Sequence, residues 1–142
     1  IKKLNLEIIE KSDYLKLSHI EGVPTEGVKD LQNNLFGLES NFEELNAIDF
    51  KKGCYVGQEN TARMKLKNKL RRRLLPVVSN KPLKIFDEIK FNDQVVGKVL
   101  IGGQYPFVLI KLFDPEFEVF SKQNLKFQDS NIQILIPSYL KF

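Results

Sequence analysis

The chain has few of the residues that build metal and redox sites. Its 142 residues include one cysteine, one histidine, one methionine and no tryptophan. With Cys54 as the only cysteine, an intrachain disulfide is excluded, and a reducing compartment fits best. Cys54 and His19 cannot by themselves form a structural zinc site or hold an iron–sulfur cluster, because such sites need about four ligands.

Long apolar runs are also missing. No run approaches the roughly 20 residues that span a bilayer. The first residue is isoleucine, and no basic-then-apolar leader with a cleavage site follows it. We therefore expect a soluble piece of a longer protein. A composition of 42% hydrophobic and 28% charged residues is typical of a globular chain with a core.

The charge is unevenly distributed. Residues 1–50 carry five Lys or Arg against ten Asp or Glu, a net charge of −5. Residues 51–80 carry nine against one, a net charge of +8, and residues 81–142 carry eight against seven. The positive excess therefore lies in the middle of the chain, around Cys54.

Apolar spacing predicts helices in the first half of the chain. Residues 5–21 have a helical period. Their apolar side chains lie approximately along one face: Leu6, Ile9, Tyr14, Leu17 and Ile20. Gly22-Val23-Pro24 ends this helix, because glycine commonly follows a helix and proline cannot continue one. Residues 40–46 allow a short helix, with Ser40 and Glu43 at capping-box spacing.

From about residue 70 the pattern favours short strands separated by turns. They are Leu70–Val78, Glu88–Phe91, Gln94–Ile101, Phe107–Phe113, Glu118–Ser121, Leu125–Gln128 and Ile132–Ile136. Asn92-Asp93 is predicted to be a tight hairpin turn. Such a set of strands is typical of a small barrel or sandwich. The fold class is therefore α+β, with helices and loops in the first half and a small barrel or sandwich in the second.

A glycine-bracketed loop contains the cysteine. Gly53 and Gly57 flank Cys54-Tyr55-Val56, and a short helix is predicted to follow, to about Met64. A cysteine just before a helix and beside Lys51 and Lys52 has conditions that lower a thiol pKa. A lone cysteine is, however, more often a small buried apolar residue, and spacing alone favours that interpretation.

Glu59, in the first turn of the predicted helix, opposes the lysines if its carboxylate points toward the sulfur. It also precedes Arg63 by four residues, which is the favourable orientation for a helical ion pair. The loop therefore offers two candidate roles for Glu59.

The loop resembles a known family signature. Lys52-Gly53-Cys54-Tyr55-Val56-Gly57-Gln58-Glu59, followed by Arg63, is similar to the K-G-C-(Y/F/I)-x-G-Q-E-x-x-x-(R/K) signature of YgfZ-type folate-binding proteins. These proteins are relatives of the glycine-cleavage T-protein. Similarity extends over the whole chain, which matches about the C-terminal half of a family member. The resemblance implies that residues 1–74 are the C-terminal part of a T-protein-like folate-binding domain and that residues 75–142 form a small C-terminal antiparallel β-barrel. Leu38 departs from the family pattern, where proline is common.

The resemblance implies a function and a site. It implies a tetrahydrofolate-binding accessory protein that supports iron–sulfur cluster assembly or repair of dependent enzymes, with Cys54 as the reactive residue. The cofactor-binding residues that it implies are Lys52, Gly53, Tyr55, Gly57, Gln58, Glu59 and Arg63. The expected partners are folate and iron–sulfur enzymes or cluster-assembly proteins, with no membrane. The expected location is the cytoplasm, or the mitochondrial matrix in a eukaryote.

Two alternatives remain open. One is an aminomethyltransferase that moves a one-carbon unit to tetrahydrofolate, as the T-protein does. The other is a non-catalytic binding module in which Cys54 is buried and inert. The T-protein reaction needs no cysteine, which weighs against the first alternative.

Three further features have more than one interpretation. Residues 63–73 carry seven basic residues and no acid, and such a run is a solvated face or contacts a folate glutamate tail or RNA phosphates. RNA contact is the minor interpretation, because no aromatic residues that stack on bases are interleaved. His19 is predicted to be an exposed or locally hydrogen-bonded helix residue, and Glu39 to be a cap or surface residue.

Overall fold

A computed structural model of the chain describes residues 8–53, 56–57, 59–67, 70–128 and 130–142. Three helices occur in these ranges: α1 (Lys11–Ile20), α2 (Glu59–Leu66) and the single turn α3 (Phe117–Phe120). A 3-10 turn spans Val28–Leu31. The six strands are β1 (Arg72–Ser79), β2 (Glu88–Phe91), β3 (Gln94–Ile101), β4 (Phe107–Lys111), β5 (Leu125–Phe127) and β6 (Ser130–Ile134). In this part of the chain no helix is long and apolar enough to cross a bilayer.

The six strands close into an antiparallel barrel in the order β1-β4-β3-β2-β5-β6. Strand β1 pairs with both β4 and β6, so it closes the barrel. Gly97 allows β3 and β4 to approach closely, since a Cβ there would lie 2.7 Å from Val108 Cγ1. The prediction of an α+β chain with a small antiparallel barrel is confirmed. The predicted division after residue 74 falls inside β1, and the division into domains stays a prediction.

The barrel encloses the main core. Its fully buried side chains come from all six strands and from α3, and they include Leu75, Ile89, Val99, Ile110, Phe120, Leu125 and Ile132. Phe117 and Phe120 of α3 pack edge to face, with ring centroids 5.6 Å apart. The prediction of a strand over Glu118–Ser121 was wrong, because the helical turn points both phenylalanines, three residues apart, into the core.

The hairpin between β2 and β3 is confirmed with the predicted strand bounds. Asn92 and Asp93 have φ values of 47° and 63°. A two-residue turn of this kind needs positive φ at both positions, and Asn and Asp tolerate that conformation best after glycine.

Turns replace the short helix predicted over residues 40–46. Asn41 and Asn46 adopt positive φ values of 62° and 56°, which no regular right-handed helix contains. Asn41 is instead fully buried and hydrogen-bonded to β1. A long-range contact thus overrides the local capping pattern.

The first helix ends as predicted, at Gly22. This residue has a φ of 69°, and the amide of Val23 donates to the Ser18 carbonyl at 2.8 Å while that of Gly22 donates to His19 at 3.0 Å. The two bonds form a Schellman motif, for which glycine is the favoured residue. The helix begins at Lys11, and the part of the prediction over residues 5–7 lies outside the described residues.

The apolar stripe of α1 faces solvent. Tyr14, Leu17 and Ile20 are 54%, 56% and 46% exposed, whereas Leu15, Ser18 and His19 face the rest of the molecule. His19 is 6% exposed, and its Nε2 lies 3.0 Å from the Pro106 carbonyl oxygen. The prediction that His19 is exposed or locally bonded was therefore wrong, because its partner is a loop 87 residues away.

Burial lowers the pKa of His19, while the hydrogen bond to Pro106 acts in the opposite direction. The unfolded chain then binds a proton at a higher pH than the folded chain, so the free energy of unfolding should fall as the pH drops through about 6.5. Urea denaturation at pH 7.5 and 5.5 measures this change. At pH 7.5 the free energy of unfolding of His19→Phe should be about 1 kcal/mol lower than that of the unchanged protein, because the hydrogen bond is lost. Its free energy of unfolding should also depend less on pH. An equal pH dependence in both proteins would contradict this assignment.

Candidate functional site

The described residues of the predicted signature loop lie on the surface at the N-terminal side of α2. Lys52, Gly53, Val56 and Gly57 are all exposed. A Cβ placed on Gly53 or Gly57 would meet no atom within 4 Å, and Gly57 has a φ of 88°. The described part of the loop is therefore open to the approach of another molecule. Cys54, Tyr55 and Gln58 lie outside the described residues, so their roles stay predictions.

The chain turns sharply just before this loop. The Asp49 carboxylate accepts a hydrogen bond from the Lys51 amide at 2.8 Å, which is a local turn that aspartate commonly makes. A cavity of about 50 Å³ lies between this turn and α2, lined by Ile48, Phe50 and Ala62 among others. Small-molecule sites usually measure about 300–1,000 Å³. The described residues at this cavity do not fit a folate molecule.

Helix α2 lies on the surface with one side turned inward. Thr61, Ala62 and Met64 are half-buried. The opposite side is exposed and, at 100° per residue, is centred on Arg63. Its exposed side chains are Glu59, Asn60, Arg63, Leu66 and Lys67. None of the eight residues of α2 is buried.

The ion pair predicted between Glu59 and Arg63 does not form. Both side chains are exposed, and neither has a charged partner among the residues that the structure describes. On an exposed helix face such a pair stabilises the helix by only about 0.3–0.5 kcal/mol. This gain is too small to hold the two groups together against their solvation by water. Arg63 is consequently available to a charged group on another molecule.

An acidic segment before the loop pairs with part of the basic run. Glu39 binds Arg72, Glu43 binds Lys65, and Glu44 binds Arg73 with an N···O distance of 2.7 Å. Three of the seven basic residues in residues 63–73 are thus in intrachain ion pairs. The predicted alternatives for the basic run were a solvated face and an anion-binding face. Lys65, Arg72 and Arg73 follow neither prediction, because acids of the same chain bind them.

Glu39 is the most buried of these acids, at 3% exposure. Its Oε1 accepts from Arg72 Nε at 2.8 Å, and its Oε2 accepts from Arg72 Nη2 at 3.2 Å and from the Phe36 amide at 2.9 Å. This geometry is the bidentate arrangement that arginine favours with carboxylates. The prediction that Glu39 is a cap or surface residue was wrong in its essential part, since its main contact is with β1.

Backbone and amide contacts continue the connection to β1. The Leu74 amide donates to the Glu39 carbonyl at 2.7 Å, and Asn41 Nδ2 donates to the Leu74 carbonyl at 3.0 Å. Asn41 Oδ1 accepts from Arg73 at 2.8 Å. Residues 36–44, which lead into the loop, are therefore attached to the barrel. Sequence reasoning missed these residues, although the opposite charges of residues 39–44 and 65–73 were a usable signal.

Comparison with known proteins adds a second kind of observation. No family model matches the chain. The chain is similar to mitochondrial iron–sulfur cluster assembly factors. It is 49% identical over 59 residues, 41% of the chain, to the iron–sulfur cluster assembly factor IBA57 homolog of Dictyostelium discoideum. It is 46% identical over 72 residues, 50% of the chain, to human IBA57, and 38% identical over 72 residues, 51% of the chain, to the Neurospora crassa homolog.

These matches span 14%, 20% and 16% of the lengths of the three relatives. The similarity therefore concerns a short part of each relative. It supports the broad resemblance to T-protein-like proteins, and the narrower YgfZ-type assignment stays a prediction. Within the described ranges, no group of three His, Cys, Asp or Glu side chains could hold a metal ion.

Replacing Glu39 tests whether its buried ion pair stabilises the fold more than an exposed ion pair does. Glu39→Gln leaves the Arg72 guanidinium without its carboxylate, and we expect a loss of about 2 kcal/mol in the free energy of unfolding. Glu43→Gln is the matched control, because its pair with Lys65 is partly exposed and is expected to contribute about 0.5 kcal/mol. Urea denaturation measures both. Equal losses would show that Glu39 does not anchor residues 36–44 to the barrel.

Proposed function

We propose that this chain is part of an accessory protein for the assembly or repair of iron–sulfur clusters, with Cys54 as its reactive residue. The observation that carries the proposal is the 46–49% identity to relatives that are named iron–sulfur cluster assembly factors. The same names favour this function over aminomethyl transfer. Those relatives are mitochondrial by name, so the proposed location in a eukaryote is the mitochondrial matrix.

The surface position of the described loop residues supports the proposal. Gly53 and Val56, which flank the two undescribed residues Cys54 and Tyr55, are exposed, with Val56 at 104%. A cluster that is bound to a partner protein is accessible only to residues on an exposed segment. One thiolate supplies one ligand of about four, so the partner supplies the others.

The proposed step is the binding of one cluster iron by Cys54. The thiol proton passes to solvent, and the thiolate donates a lone pair to the iron. Lys51 and Lys52 are adjacent in sequence, and nearby positive charge favours the thiolate. Glu39, Asn41 and the barrel act indirectly, by holding the segment that leads into the loop. The alternative use of the same thiolate is thiol–disulfide exchange with a partner disulfide, in which it attacks one sulfur, forms a mixed disulfide and releases the other sulfur as a thiolate.

Folate binding is the finer part of the proposal. It rests on the resemblance of residues 52–63 to the family signature. The cavity of about 50 Å³ beside the loop does not fit folate, so a folate site needs walls outside it. Lys52, Gly57, Glu59 and Arg63 would then form one exposed side of that site, together with Tyr55 and Gln58.

Cys54→Ser tests the proposed reactive residue. The complete protein is expressed in cells that lack it, and the activities of iron–sulfur enzymes are measured in extracts. We expect the serine variant to restore less than about a tenth of the activity, because a hydroxyl is not ionised at neutral pH and binds iron weakly. Ser138→Ala, at an exposed site outside the loop, is the control and should restore full activity. Full restoration by Cys54→Ser would refute the proposal.

The reactivity of Cys54 tests its environment. We expect its rate with a thiol probe to remain high well below pH 8.5, the ordinary pKa of a thiol being about 8.5. Measured with and without tetrahydrofolate, the rate should change if folate binds beside the loop. A slow rate that rises only near pH 8.5 and ignores folate would identify Cys54 as a packing residue and favour the inert binding module.

A further inference from the structure

The outward side of α2 carries positive charge that the chain does not neutralise. Arg63 and Lys67 lie one helical turn apart on this side, and Arg71 follows shortly before β1. Across the described ranges, Arg63, Lys67 and Arg71 have no salt bridge or side-chain hydrogen bond. Arg71 lines a cavity at the barrel with Asp114 and Glu116. We call Arg63, Leu66 and Lys67 the α2 surface.

Other members of the basic run are neutralised inside the chain. Lys65, Arg72 and Arg73 each bind an acid of residues 39–44. The side chains of Arg73 and Glu39 are 12% and 4% exposed, whereas the pair of Lys65 with Glu43 is partly exposed. Glu39, Glu43 and Glu44 are thus bound by the chain itself, and Glu59 is the exposed acid on the outward side of α2, beside the exposed Arg63 and Lys67.

A large apolar side chain accompanies that charge. Leu66 is 84% exposed and lies one helical turn from Arg63 and next to Lys67. An exposed leucine by itself is ordinary, but a leucine flanked by arginine and lysine has the composition of a protein interface with a polar rim. Nothing among the described residues covers Leu66.

We propose that the α2 surface docks an acidic protein partner, whose Asp and Glu side chains meet Arg63 and Lys67 and whose apolar recess receives Leu66. The charges of Arg63 and Lys67, which no acid among the described residues pairs, supply the complementarity for such a partner. The proposal rests on the proposed function in one respect: the docked partner carries the cluster that Cys54 contacts.

A protein fits this surface better than RNA does. Single-stranded RNA is bound through aromatic rings that stack on bases, together with basic groups. Phe50 lies beside α2 and one face of its ring is taken by the ammonium of Lys65, 5.5 Å from the ring centroid. Exposed aliphatic side chains such as Leu66 instead contact apolar protein surface.

Site-specific crosslinking tests the proposal. A photoreactive amino acid replaces Leu66 in the complete protein in cells, and the crosslinked species is identified by mass spectrometry. We expect a protein of acidic sequence, and a crosslink that nuclease does not remove. The double variant Arg63→Glu with Lys67→Glu should lower the crosslink yield about tenfold, because reversed charges repel an acidic partner. The charge-conserving pair Arg63→Lys with Lys67→Arg should retain it.

The controls separate docking from folding and from the cysteine chemistry. Val119, 54% exposed on α3, is the crosslinking control and should give no such product. Thermal unfolding must be unchanged by the charge reversal, as expected for an exposed helix face. A product removed by nuclease, a basic protein partner, a crosslink that survives charge reversal, or no product at Leu66 would each overturn the proposal. If Cys54→Ser abolishes iron–sulfur enzyme activity while Leu66 gives no crosslink, only the docking proposal fails. If the crosslink forms and Cys54→Ser is fully active, only the proposed function fails.

Discussion

The rest of the site depends on the ion pair between Glu39 and Arg72. A carboxylate that is 3% exposed is costly unless its oxygens are bonded, and here two guanidinium N–H groups and the Phe36 amide bond them. The pair brings Asn41 against β1, where its side chain binds the Leu74 carbonyl. Because β1 is paired with β4 and β6 in a closed barrel, it cannot shift without breaking two ladders. The segment that leads into the loop therefore has a rigid support.

This support contrasts with the surface that it carries. Gly53 and Gly57 are open, Val56 is fully exposed, and α2 buries none of its side chains. A segment that is attached to the barrel and followed by exposed residues suits contact with a group on another protein. Little conformational entropy is lost on binding when the supporting segment is already ordered. The inward ion pairs also determine which positive charges stay available outside.

The agreement between sequence and structure follows the range of the interactions. The Asn92-Asp93 hairpin, the Gly22 helix end and the start of α2 near Gly57 depend on a few neighbouring residues, and the structure shows each of them. Glu118–Ser121 has the composition of a strand but is part of a helical turn, since two phenylalanines fill the end of the barrel core. Residues 40–46 form turns instead of the helix that their capping pattern predicted, because Asn41 is hydrogen-bonded to a strand residue 33 positions away.

The sequence by itself determined the fold class, the local turns and the position of the glycine-bracketed cysteine loop, because backbone preferences and apolar periodicity act over short distances. Only the tertiary structure decided the partners of His19 and Glu39, the outward direction of the α1 apolar stripe and the division of the basic run into paired and unpaired members. Each of these depends on which residues distant in sequence lie together. Hydrogen bonds and ion pairs with such partners cannot be read from spacing, since the same side chain is equally suited to solvent, to a cap or to a buried contact.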